Sequence, residues 1–355
     1  MFKEMNKAYS LMEDDHSKDI FRNRALYNIT GDYTYIDNVV SIYFERMQRD
    51  FLGRTDIITN LRGQIGNRKV VIYGIGECGL VTLALFTSAL KDVELAAFCD
   101  RHAVDISDFH GYRVIDIEEL TANYKDVVVI VTPVWEKYKS EIISDLISRG
   151  FDTDQIIERV PFNDYDFRGE YFCDVVQLGK DEVFVDAGCL NCGTALEFAE
   201  KCPDYKEIIS FEPDPVQYND CTKISQTKAI RSHTIYNMGL WDEDGELSFL
   251  PDGSGGRFTQ NGTVKVKIGA LDSILQGKKA TFIKMDIEGA ELRALHGCRN
   301  TIVEHRPKLA ICVYHKPNDI VEIPLYIHDI APDYRFYLRH HSRRQFETVL
   351  YAIPK

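Results

Sequence analysis

Three apolar runs, each ending in an acid, constrain this chain more than any other feature. They are V-F-V-D-A-G at residues 183–188, I-I-S-F-E-P-D-P at 208–215 and T-F-I-K-M-D-I-E-G at 281–289. Runs of this kind suit central parallel strands, which are buried on both faces and so read as nearly continuous apolar stretches. After the first run come C-L-N-C-G and T-A-L-E-F, a turn bearing Gly188 and Gly193 and then a helix. Glycines at a strand-to-helix turn let backbone approach a ligand, and open α/β sheets bind ligands beyond the carboxyl ends of their strands. Glu212, closing the second run, stands where such folds place an acid that accepts hydrogen bonds from ribose hydroxyls.

Further strands are expected at 235–238 and 309–314, with two last strands at 334–339 and 347–352 joined by a short link as an antiparallel hairpin. Between strands, P-D-G-S-G-G-R at 251–257 is expected as a mobile loop with the option of serving as a lid. A second α/β unit opens at Lys69, where V-V-I-Y-G-I-G-E-C-G places Gly74, Gly76 and Gly79 in G-x-G-x-x-G order. Asp100 follows the next strand, 95–99. That is the pattern of a second nucleotide site, although glycines also close such turns with no ligand present. Residues 1–65 read as a helical segment from Ile20, Phe21, Ala25 and Leu26 and a later set, Val39, Val40, Ile42, Tyr43 and Met47. It is expected as a cap or a homodimer contact. The domains are therefore drawn at 1–65, 66–162 and 163–355, with Pro161, Asn163 and Asp164 in a linker.

The run I-K-M-D-I-E-G-A-E at 283–291, together with V-F-V-D-A-G and F-E-P-D-P, resembles the FkbM-type S-adenosylmethionine-dependent methyltransferases over about residues 165–355. With the unit that opens at Lys69, the expected fold is α/β with two Rossmann-like units, of which the resemblance covers the second. The C-terminal unit would be a class I methyltransferase-type, mostly parallel sheet with an antiparallel C-terminal hairpin. The resemblance also implies O-methylation of a sugar or other small hydroxylated metabolite, with S-adenosylmethionine as cofactor. Cofactor contacts are expected from Asp186, Gly188, Cys189, Asn191, Gly193, Thr194, Glu212, Asp214 and Asp286. Cys192 stands where relatives often carry glycine, which shifts the expected backbone contact to Gly193.

Catalysis is expected from His315, Asp286 and Glu288. His315 is read as general base, because an ordinary imidazole titrates near 6.5. Glu291 is weighed as a helix-start acid. Lys284 shares strand parity with Phe282 and Asp286, so its buried ammonium is expected to pair with Asp286 or Glu288. Arg339, His340, His341, Arg343 and Arg344 crowd the last hairpin, either as a solvated turn or as an anion contact. Asp286, Glu288 and His315 are acceptable ligands for a hard divalent ion, yet no metal is expected, since no H-x-x-x-H or D-x-D run supports one.

A formal charge of −13 without a basic block argues against nucleic acid as partner. No apolar stretch is long enough to span a bilayer, so no membrane is expected, and the start lacks a signal-peptide core; the reading is cytoplasmic. Nine scattered cysteines are expected as reduced thiols, with Cys189 and Cys192 packing or lining the cofactor loop. Two rivals remain open: a nicotinamide-dependent oxidoreductase built on Gly74 to Asp100, and a nucleotide-sugar binding protein with an inactive methyltransferase half. The first lacks a recognisable catalytic constellation. The second must account for an intact Asp186, Gly188, Glu212 and Asp286.

Overall fold

The computed structural model describes residues 2–52, 55–133, 136–158, 169–342 and 344–355. The expected linker residues Pro161, Asn163 and Asp164, and Arg343 of the last hairpin, lie outside them. The chain forms two compact units, one of residues 1–39 with 170–355 and one of residues 40–169. The helical segment read over 1–65 is thus divided, its first 39 residues belonging to the unit that holds the C-terminal sheet.

That sheet has seven strands: β1 (Val183–Ala187), β2 (Glu207–Phe211), β3 (His233–Tyr236), β4 (Phe282–Met285), β5 (Lys308–Cys312), β6 (Tyr334–His340) and β7 (Thr348–Pro354). Their order is β3-β2-β1-β4-β5-β7-β6. Only β7 runs antiparallel, against both β5 and β6. The order reverses at the β1–β4 junction, which leaves a crevice beyond the strand ends there.

Register between β1 and β4 explains what lies beneath that crevice. Phe184 pairs with Phe282 and Asp186 with Lys284, so one face carries an aromatic pair and, two residues on, an acid beside an ammonium. Phe172, Phe184, Phe198 and Phe282 cluster under the sheet, with Phe184 and Phe198 stacked at 4.5 Å. Each such ring contributes about 1.5–3 kcal/mol by leaving water. Chain between β3 and β4 forms a separate four-stranded sheet in the order Gly239–Leu240, Val264–Gly269, Gly245–Leu250 and Arg257–Phe258. The expected loop at 251–257 joins two strands of this ribbon through the short helix Gly253–Gly255.

The first helices, Phe2–Ser10 and Asp15–Thr30, pack against β6 and the helix Asp319–Ile330. Asp14 caps the second helix by accepting from the Ser17 amide at 2.7 Å. Ile20, Phe21 and Ala25 point inward and are buried. Arg339 is 4 % exposed and pairs with Asp14 at 2.9 Å and Asp174 at 3.1 Å. His340 and His341 are buried as well. The hairpin reading is corrected for three of these residues: Arg339 ties the N-terminal helices to the sheet, and His340 and His341 bond Thr348 and Tyr351 within it, while Arg344 is exposed as a solvated turn requires.

The other unit holds a six-stranded sheet in the order Asp108–Phe109, Tyr112–Ile115, Leu95–Cys99, Lys69–Tyr73, Val127–Val131 and Ile156–Ile157, parallel except for its first pair. A Cβ on Gly79 would collide with the Gly74 carbonyl, and one on Gly74 with the Thr132 hydroxyl. Two of the three glycines are therefore required by the turn itself. Asp100 accepts from the Ile75 amide at 3.1 Å and the His102 amide at 2.9 Å, so both its oxygens hold the loop. No described helix is long and apolar enough to cross a membrane.

Candidate functional site

A cavity of about 660 Å³, counting space that opens to solvent, lies beyond the carboxyl ends of β1, β2 and β4. Gly188, Glu212, Asp286 and Glu288 line it, and Phe249, Gly253 and Phe258 of the ribbon form its other wall. The loop read as a lid thus contributes to the cavity. The ribbon aromatics were not found from sequence, because their alternation is broken by glycines and charges over 239–269.

Glu212 closes β2 and is 6 % exposed. Its Oε2 accepts from the Leu190 amide and its Oε1 from the Asp214 amide, each at 2.9 Å. Each carboxylate oxygen keeps a second lone pair for a ligand. Burial pushes its carboxyl up to about 6, against the pull of those two amides.

Several residues expected to touch the cofactor are engaged in the scaffold around the cavity. Asp186 is fully buried, and its Oδ1 lies 3.1 Å from Lys284 Nζ. Lys284 also donates to the Gly188 carbonyl at 2.6 Å and the Ala187 carbonyl at 3.2 Å. The partner of Lys284 is therefore Asp186 across the strand pair, where parity along β4 alone had pointed to Asp286 or Glu288. Asp214 caps the helix Pro215–Thr227 by accepting from the Val216 amide at 2.8 Å. Asn191 accepts from the Gly193 amide at 3.0 Å, at the start of the helix Gly193–Lys201. Thr194 lies half-buried on that helix.

Cys189 faces away from the cavity, its Sγ 3.4 Å from that of Cys221. Cys192 and Cys221 are joined in a disulfide, which corrects the expectation of reduced thiols at these two positions; the remaining seven cysteines are free. The bond ties the glycine loop after β1 to the helix after β2.

The acidic centre follows β4. Asp286 accepts from the Tyr171 hydroxyl at 2.9 Å and the Tyr314 hydroxyl at 3.2 Å. Tyr171 was missed because it lies far upstream in the chain, and the only hint was the aromatic pair Tyr171–Phe172 before β1. His315, with its side chain 8 % exposed, sits among three carboxylates. Its Nε2 is 3.5 Å from both Asp286 Oδ1 and Glu288 Oε2, and its Nδ1 is 2.9 Å from Glu291 Oε1. Glu291 also accepts from the Ile287 amide at 2.9 Å and is wholly buried. Burial would lower the imidazole's pKa, but the surrounding carboxylates outweigh it and push it up to about 11. His315 is therefore corrected from a base of ordinary pKa to a cation at neutral pH. Lys284 and His315, aided by hydrogen bonds from Tyr171 and Cys312, hold the Asp286 carboxyl below its ordinary value despite its burial.

Residues 189–342 match the model of the methyltransferase FkbM domain. Hexuronic acid methyltransferase AglP of Haloferax volcanii is 29 % identical over 149 residues, covering 39 % of this chain and 59 % of that protein. The chain thus spans about three-fifths of the length of this curated relative. A methyltransferase FkbM from Methylobacillus flagellatus has a solved structure that covers 88 % of this chain and 99 % of its own at 20 % identity, with a TM-score of 0.46. An rRNA methylase from Streptococcus thermophilus covers 50 % of this chain and 88 % of its own at 15 % identity, with a TM-score of 0.33. The stretch that matches, residues 189–342, thus contains Glu212 and the acidic centre, and it is similar to a methyltransferase FkbM domain.

Proposed function

We propose that the protein methylates a hydroxyl group of a sugar or similar small hydroxylated metabolite. The observation that carries this is the meeting, in one cavity, of a buried acid at the end of β2 and an acidic centre at the end of β4. Glu212, with lone pairs left on both oxygens, would hold the ribose of S-adenosylmethionine, and Gly188 would allow backbone to lie close to it. When bound, that cofactor supplies a methyl group activated by a sulfonium. Asp286 and Glu288 face the same cavity and would receive the acceptor hydroxyl, a positioning role that in-line transfer chiefly requires. With His315 protonated, proton removal passes to these two carboxylates. The hexuronic acid named for the Haloferax volcanii relative supports a sugar acceptor, and the charge of −13 disfavours polyphosphates.

Calorimetric titration with S-adenosylmethionine at pH 8 should show at least tenfold weaker binding to Glu212→Ala, about 1.4 kcal/mol. For the unaltered protein, affinity should fall as pH drops through about 6, where Glu212 takes up a proton and becomes a poorer acceptor. Glu212→Gln should lack that decline. Equal affinity of Glu212→Ala and the unaltered protein would remove the ribose from Glu212.

A further inference from the structure

The acidic centre holds more negative charge than its own cations offset. Asp286, Glu288 and Glu291 surround one imidazole, while the ammonium of Lys284 is engaged by Asp186 and two carbonyls and that of Lys316 by the Gly289 carbonyl. Carboxylates gathered out of water need a compensating cation. One donor atom from each of Asp286, Glu288 and His315 lies within 4.8 Å of the others. His315 Nε2 stands 3.5 Å from both carboxylate oxygens, longer than an ordinary N–H···O hydrogen bond. An ion bound at about 2.1 Å to each of several donors separates those donors by roughly 3.0–3.5 Å. This nitrogen, in a ring more than nine-tenths buried, is aimed between two carboxylates at the spacing a metal would set.

The rest of the ring supports the same reading. Nδ1 faces Glu291 Oε1 at 2.9 Å, and ligating histidines are commonly oriented by a carboxylate on their other nitrogen. Glu288 holds a left-handed backbone, φ 54°, a costly conformation for a glutamate, and one that accompanies the placing of its carboxylate toward the cavity. Tyr171 and Tyr314 fix the Asp286 carboxylate from two sides and leave lone pairs for an ion.

We propose that Asp286, Glu288 and His315 bind one divalent cation that accepts mixed oxygen and imidazole donors, such as Mn²⁺ or Mg²⁺, the ion taking the place of the proton on His315 Nε2, which leaves to water. This replaces the sequence expectation of no metal. Asp286 and Glu288 line the cavity, so the ion's remaining positions face it and would take the acceptor's hydroxyl oxygen. Coordination would acidify that hydroxyl, and the uncoordinated oxygens of the two carboxylates would still take its proton. The role in catalysis rests on the methyl-transfer reading above, but the binding of the ion does not.

Full-length protein freed of metal with a chelator should bind one Mn²⁺ per chain, read by the loss of the free-ion electron paramagnetic resonance signal. Glu288→Gln and His315→Gln should each weaken that binding at least tenfold, with melting transitions showing that they fold. A protein that takes up no Mn²⁺ at millimolar concentration, or two folded variants that bind it as well as the unaltered chain, would overturn the proposal. S-adenosylmethionine calorimetry on the same metal-free samples separates the two ideas. Cofactor binding with no Mn²⁺ uptake would sink the metal site alone, whereas Mn²⁺ uptake with no cofactor binding would sink the methyl-transfer reading alone.

Discussion

Lys284→Met is expected to destabilise the protein by about 3–5 kcal/mol, the usual loss when one member of a buried ion pair is removed. Lys284 is 2 % exposed and Asp186 is fully buried, so water cannot replace the lost ammonium. Burial already pushes the Asp186 carboxyl above its ordinary value while Lys284 pulls it back. Without Lys284 the folded-state pKa of Asp186 rises further above that of the unfolded chain. Stability is then lost as pH rises through the folded value, and the deficit should be larger at pH 8 than at pH 5. A second change, Asp186→Leu, removes the stranded acid and should recover at least half of the loss, since apolar residues often replace a buried pair at little cost. Denaturant titrations of the two variants and the unaltered protein at both pH values check this. A loss below about 1 kcal/mol for Lys284→Met, or no recovery in the double variant, would show that the pair does not hold the β1–β4 junction.

Gly188→Ala should cost about 2–5 kcal/mol and weaken S-adenosylmethionine binding. Gly188 has φ 75°, where a side chain is strained by roughly 1–3 kcal/mol. The added Cβ would also collide with the Asp286 carbonyl, so relief requires the ends of β1 and β4 to part, at a further cost of about 1–3 kcal/mol. That movement would displace both Glu212's neighbour Leu190 and the acidic centre. Melting and cofactor calorimetry are the measurements, and a variant with unaltered melting and affinity would refute the close approach.

Sequence reading reached the seven strands of the C-terminal sheet to within about two residues, because the central ones are dense apolar runs and the edge strands β3 and β6 alternate. It reached Glu212, Asp286, Glu288 and His315 because acids and a histidine at strand ends are conspicuous. Partners set by register were hidden: Lys284 meets Asp186 only because β4 lies in register beside β1. Tyr171 reaches Asp286 across 115 positions, and the tie of Arg339 to Asp14 spans 325, distances that no local pattern reports. The imidazole of His315 was misjudged for a related reason. Its charge is set by three carboxylates around it, and sequence could place only that histidine's own ordinary pKa.

The packing of the first helices against β6 bears on the order in which the chain acquires structure. Met12 forms a bridge with Phe336, the Glu13 amide donates to the Phe336 carbonyl at 3.0 Å, and the Ser17 hydroxyl accepts from the Leu338 amide at 2.9 Å. On the ribosome, residues 40–169 are complete long before β6 exists, and as a contiguous unit they are free to fold as they emerge. The other unit must keep its opening helices uncommitted while some 300 residues are synthesised, about 15–60 seconds at ordinary elongation rates. Their apolar face, Ile20, Phe21 and Ala25, is exposed for that interval, which makes nascent chains of this protein natural clients for chaperones until the final hairpin appears.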